Sequence, residues 1–254
     1  MMQSFLFKGG VILSFIDIHS HILPYVDDGA KSIEESIELL KQEKEQGVDA
    51  VICTPHFYPR FSSLDEHLQS TTESFKLLKE AARGLNLPEL FLGHEVQSYP
   101  NISRSSSLEV CALSNSYYLL LELPFLDAIP KETIDDISRL SENLGFRIIL
   151  AHIERYSSDK NYKKLINFVK RGIVLAQVNA DSFFLPKLKK PVEKLLKANL
   201  VSFVASDAHS PTERPVRIRE FIKAVSNTYP AAYSKIIRTT DSLFNELKGE
   251  TYAY

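Results

Sequence analysis

Six of the seven histidines in this 254-residue chain stand just after short apolar runs, and most have carboxylates close by. The run ending at Ile18 leads into His19, Ser20 and His21, then Asp27 and Asp28. VDAVIC is followed by Thr54-Pro55-His56, and LFL by Gly93-His94-Glu95. YYLLLEL carries Glu122 near its end, RIILA runs into His152 and Arg155, and LVSFVA into Asp207 and His209. Imidazole nitrogens mixed with carboxylate oxygens suit Mn, Fe or Zn, and carboxylates can bridge two ions. The chemistry such a set supports is metal-assisted hydrolysis. In a strand, residues i and i+2 share a face, so His19 and His21 can both reach one site. An acid that closes a run of leucines, as Glu122 does, is costly to bury unless something pairs with it. Asp27 and Asp28 are interchangeable at this level. Alternation turns His94 away from the site and leaves Glu95 as the ligand, and His67 falls on the polar face of a helix, where water would solvate it.

These residues lie nearly two hundred positions apart, so the elements between them must bring them together. Strands are predicted at the run ending at Ile18, at 48–53, 90–92, 117–123, 147–151, 173–178 and 200–205. Helices fill the gaps. One opens on a capping box, Ser32 to Glu35, and Gly47 supplies its left-handed stop. A second carries Leu64, Leu68, Phe75, Leu78 and Ala82 on one stripe and ends near Gly84. A third carries Ile134, Ile137, Leu140 and Leu144; a fourth Leu165, Phe168 and Val169; a fifth Val192, Leu195 and Leu196. The tail from Pro215 reads as helical throughout. Strands alternating with helices imply parallel βα units. In such folds the carboxyl ends of the strands share one face, where the βα loops build the site. The convergence of the polar groups on that face favours a barrel over an open sheet. Every strand except the sixth is followed at once by residues able to hold metal.

Composition narrows the function classes. With 44% hydrophobic and 24% charged residues the chain is an ordinary globular protein, expected to form a single domain over 1–254. Thirty basic against 32 acidic residues leave no basic surplus for nucleic acid. Cys53 and Cys111 are too few for a disulfide framework, and neither lies in a C-x5-R phosphate loop. The N-terminal stretch lacks the order of a signal peptide, and no apolar run approaches the roughly 20 residues of a membrane span, so a cytoplasmic protein without membrane insertion is expected.

The ordered set DIHSHILP…VDDGAKS, TPHF, GHE, LLLELPF, AHIERY and FVASDAH resembles the PHP-domain (polymerase and histidinol phosphatase) protein tyrosine phosphatases of bacterial capsule and exopolysaccharide systems. The resemblance runs from about Ile16 to the C-terminal helices. It implies a distorted (β/α)7 barrel of PHP type, with extra C-terminal helices and three divalent metal ions, most often manganese, with Fe, Zn, Co or Mg as alternatives. It implies nine ligands: His19, His21, Asp28, His56, Glu95, Glu122, His152, Asp207 and His209, selecting Asp28 over Asp27. It also implies that Arg155 and Arg214 contact the substrate phosphate, with Asp207 and His209 in the catalytic group. The implied reaction is hydrolysis of phosphotyrosine by a metal-bridging hydroxide, on the tail of a membrane-anchored tyrosine kinase. A small phosphomonoester such as histidinol phosphate is the alternative substrate. The chain departs from the pattern in the residues before the first motif (1–15), in the bulk of Tyr25, and in the segments Tyr58–Leu64 and Tyr99–Ser107 expected to flank the mouth.

Overall fold

The computed structural model describes residues 14–105, 107–124 and 129–249; the N-terminal stretch with no signal-peptide order lies almost wholly outside them. The alternating pattern becomes nine strands among the described residues: β1 (Ile16–Ser20), β2 (Ala50–Cys53), β3 (His56–Phe57), β4 (Glu89–Leu92), β5 (Glu95–Gln97), β6 (Tyr118–Glu122), β7 (Arg147–Leu150), β8 (Val174–Asn179) and β9 (Val201–Ala205). The seven expected strands are all present. β3 and β5 are additional, and at two and three residues they are too short to show a period. The helices are α1 (Ile33–Gln46), α2 (Leu64–Ala81), α3 (Lys131–Glu142), α4 (Tyr162–Lys170), α5 (Pro186–Lys197), α6 (Ile218–Thr228) and α7 (Pro230–Leu247).

Local chemistry sets their ends. Ser32 caps α1 by accepting from the Glu35 amide, but the Glu35 carboxylate accepts from the Lys31 amide rather than closing the box on Ser32. Gly47 ends α1 at φ 87°, a left-handed conformation that glycine adopts without steric cost. The complete capping box stands at Ser63 and Glu66, opening α2. The tail is not helical throughout: α6 begins at Ile218, and Tyr229 breaks the run because the residue before a proline avoids the helical region. Pro230 then starts α7, where its missing N–H leaves no helical bond unmade.

The strands pair in parallel as two sheets, β1-β2-β4 and β3-β5-β6-β7-β8-β9. The ladder is therefore not the one closed ring of a barrel. Between β1 and β9 the join is made by the end of β1 and the residues just beyond β9. The His21 amide donates to Ala208 O at 2.9 Å, and the Asp207 amide to His19 O at 2.9 Å. Side chains reinforce it: the Ser206 amide and hydroxyl both donate to the Asp17 carboxylate. On the far side, the Gly93 amide donates to Cys53 O and the Glu95 amide to Pro55 O, tying the second strand turn to the fourth.

Successive strand residues feed two cores. Ile16, Ile18, Ile52, Leu120, Ile149 and Phe203, drawn from both sheets, form an inner cluster that Leu243 and Phe244 of α7 close at one end. The alternate residues, among them Val51, Cys53, Leu119, Leu121, Ile148 and Leu150, pack outward against the helices. Burial on both faces explains the unbroken apolar runs, and each fully buried Leu or Ile contributes about 1.5–3 kcal/mol. Cys53 and Cys111 are buried and free, packing as small apolar groups.

Candidate metal centre

At the carboxyl ends of the strands, the polar residues gather over the inner core. Ile16 and Ile18 of β1 face that core, so plain alternation would send His19 to the helix side. A register shift against β2 between Asp17 and Ser20 changes the parity, as bulges do beside functional sites, and His19 arrives next to His21. The loop that follows packs on His21 so closely that a Cβ at Gly29 would stand 2.1 Å from His21 O and 2.6 Å from His21 Cβ. Only glycine fits there. Asp27 then accepts from His21 Nδ1 at 2.8 Å, which fixes the ring and presents Nε2 to the site.

Three groups of potential ligand atoms result, each with its members within 4.8 Å of one another: His21, Asp28, His56 and His209; His19, His21 and Asp207; His56, Glu95 and Glu122. His152 joins them, its Nε2 lying 3.0 Å from Glu95 Oε1 and 3.5 Å from Glu122 Oε1. All nine residues singled out as ligands thus form one connected cluster. Asp28 belongs to it through His56 at 3.5 Å and His209 at 3.4 Å, while Asp27 sits behind His21.

The donor set fits cations. His19 Nε2 and His21 Nε2 are 3.1 Å apart, about the spacing of two nitrogens that share an ion at 2.0–2.1 Å. Glu95 Oε2 is crowded by His19, His21 and His56 nitrogens at 3.3, 3.5 and 2.7 Å, yet it accepts no hydrogen bond. Glu122 Oε2 is likewise buried without a donor. Burial pushes the Glu95 carboxyl up, but His19 and the neighbouring imidazoles outweigh this and hold it well below the usual range. Burial alone would lower His21, yet Asp27 and Glu95 raise it well above an ordinary imidazole.

Asp207 separates two kinds of surroundings. Its Oδ1 faces His19 and His21 at 3.6 and 3.5 Å. Its Oδ2 accepts from Arg155 Nη2 at 2.6 Å, Arg214 Nη2 at 2.8 Å and Asn179 Nδ2 at 2.5 Å. Both guanidinium groups are partly exposed and stand beside the histidine cluster.

The sixth expected strand contributes more than its lack of ligands implied. Gln177 of β8 accepts from the His152 amide at 2.7 Å, lies 3.2 Å from His19 Nδ1 and donates to Asn179 Oδ1 at 2.7 Å. Two amides two residues apart in an otherwise apolar strand were the available signal, since buried amides must find partners. Tyr58, expected only as part of a segment flanking the mouth, reaches the cluster itself: its ring stacks on His56 at 4.6 Å, and its hydroxyl faces Glu122. His94 does turn away from the cluster. His67, however, is buried rather than solvated, with Nε2 2.8 Å from His94 Nδ1. Burial lowers these two imidazoles to about 4 and about 3, so both are neutral near pH 7.

The model of the family "Capsular polysaccharide synthesis, CpsB/CapC" matches residues 15–243. CapC of Staphylococcus aureus is 35% identical over 211 residues, 81% of each chain. The tyrosine-protein phosphatase CpsB of Streptococcus agalactiae serotype III is 30% identical, over 84% of this chain and 90% of its own. Among solved structures, a match reported with YwqE from Bacillus subtilis and CpsB from Streptococcus pneumoniae, described as metal-dependent tyrosine phosphatases, superposes with a TM-score of 0.76 at 25% identity. It covers 94% of this chain and 96% of that one. A histidinol phosphate phosphatase of Lactococcus lactis shares the fold at a TM-score of 0.50 and 15% identity, over 84% of this chain and 94% of its own. The chain belongs to the capsular polysaccharide synthesis CpsB/CapC family.

Proposed function

We propose that this protein is a metal-dependent phosphatase of protein phosphotyrosine. The observation that carries the reading is Asp207: one oxygen faces the histidine cluster and the other holds two arginines beside it. Three divalent ions, most readily manganese, are assigned to His19, His21, Asp28, His56, Glu95, Glu122, His152, Asp207 and His209. When bound, such ions supply Lewis acidity and bring the pKa of water to about 7. Arg155 and Arg214, already oriented by Asp207, are assigned to the phosphoryl oxygens, which planar guanidinium groups grip in pairs and whose growing charge they offset. A phenol with a pKa near 10 leaves without much help from an acid. The two sheets, joined by loop hydrogen bonds at the β1–β9 seam and sharing an inner core, support the reading as a single distorted (β/α)7 domain of PHP type. The phosphotyrosine tail of a membrane-anchored tyrosine kinase is the proposed substrate, met in the cytoplasm; among the described residues no helix is long and apolar enough to cross a membrane.

The test is turnover by the full chain, reconstituted with manganese, on a phosphotyrosine peptide, a phosphoserine peptide and histidinol phosphate. The phosphotyrosine peptide should show the highest kcat/KM. A higher value for histidinol phosphate would assign the site to small phosphomonoesters instead.

A further inference from the structure

A cleft of about 740 Å³ opens from the cluster between Asp28 and His56 on one side and the start of α2 on the other. Its wall is a run of rings. Tyr58 stacks on His56 with centroids 4.6 Å apart and planes 23° apart, and Phe61 meets the Tyr58 ring edge-on at 6.1 Å. The rings therefore lead outward from a member of the metal-ligand cluster to solvent. The segment between them is built firmly. The Phe61 amide donates to Tyr58 O at 2.9 Å, closing a turn, and the Ser63–Glu66 capping box locks the next residues onto α2. Yet Phe61 is 72% exposed, and the Arg60 guanidinium covers its ring at 4.5 Å. A firmly held turn that displays a phenylalanine beside a polar site offers an unfilled aromatic contact.

We infer that Tyr58 and Phe61 form the surface against which the substrate's own aromatic ring rests, making this loop a specificity determinant for aryl over alkyl phosphates. This rests on the phosphatase reading of the neighbouring cluster. In an aryl phosphate the ester oxygen is bonded directly to the ring. A phosphoryl group held at the cluster therefore puts that ring alongside the cluster, where the Tyr58–Phe61 wall stands. Aromatic pairs prefer offset or edge-to-face contact, which the exposed part of Phe61 leaves open. An alkyl ester has no ring to place there and gains nothing from the wall.

The experiment uses non-hydrolysable probes, so it does not depend on turnover. Binding of phenylphosphonate and methylphosphonate to the manganese-loaded full chain is measured by calorimetry for the wild type, Phe61→Ala and Phe61→Tyr. Phe61 is exposed, so neither change threatens folding. The wild type should prefer the phenyl probe by about tenfold, Phe61→Ala should bring the ratio close to one, and Phe61→Tyr should keep it. Equal affinities in the wild type, or a preference that survives Phe61→Ala, would overturn the inference. A ring preference without hydrolysis of any phosphomonoester would support the aromatic wall and count against the phosphatase reading alone.

Discussion

Gln177 shows how much of the site rests on residues that hold no metal. Its carbonyl oxygen serves both His19 Nδ1 and the His152 amide, so one amide ties together two potential ligands, one in β1 and one just beyond β7. Partners of this kind typically change metal affinity 10–100-fold when lost. Gln177→Leu should weaken manganese binding by a factor of that order, read by competition with a chromogenic chelator. Gln177→Glu, which keeps the acceptor, should lose less, and unchanged affinity in Gln177→Leu would contradict the assignment. Protonation gives a second handle. In the metal-free protein, burial alone would lower His152, but hydrogen bonds with Glu122 and Glu95 raise it to about 9. His21 is also raised well above the ordinary value. Both therefore carry protons at pH 7, whereas a metal-binding imidazole must be neutral. Loading with manganese at pH 7 should release protons, those of His152 and His21 among them. Calorimetry in two buffers of different ionisation enthalpy measures this, and the His152 share should vanish above about pH 9.

At the scale of elements, α1 is joined to the β1–β9 seam by an unusual contact. Glu43, wholly buried, faces the carboxyl of Asp17 and the Ser206 hydroxyl. Burial, reinforced by Asp17, raises Glu43 well above the ordinary carboxyl range. In the unfolded chain Glu43 loses its proton above about pH 4.5, while in the folded chain it keeps it; stability therefore falls as pH rises from there towards the folded value. Glu43→Gln, which mimics the protonated acid, should flatten this decline and raise stability at pH 7. Urea midpoints from pH 4 to 8 check it, and a parallel decline in the variant would contradict it. The alternation of β and α elements was legible because apolar runs stand between helical periods closed by glycine. The inner face of α2 was not. Of its expected stripe only Leu78 is fully buried, while Leu64, Leu68, Phe75 and Ala82 are half buried; the rest of the buried face is His67, Thr71 and Ser74, whose polar atoms find partners in His94, His67 O and Pro24 O. A polar residue with a partner far along the chain looks, in sequence, like a surface residue. The bulge that re-aims His19 was hidden for a similar reason: it depends on the register against β2, which no local pattern in β1 carries.

At the scale of the molecule, two parallel sheets that meet across a shared inner core bring six loops to one end. Nine residues, spread from His19 to His209, become neighbours there. Their convergence was readable because parallel βα units put all strand ends on one face. Closure was not, since the β1–β9 join uses amides and a serine beyond the strands. The central claim is that this cluster holds several ions and that they are needed for phosphotyrosine hydrolysis. The most direct measurement is elemental analysis of the full chain during stepwise manganese reloading after chelation, with phosphotyrosine-peptide hydrolysis followed at each step. The stripped protein should show no hydrolysis, and activity should recover as the content climbs towards about three ions per chain, the number the ligand groups can share. Full activity at well below two ions per chain, or activity that survives complete stripping, would contradict it.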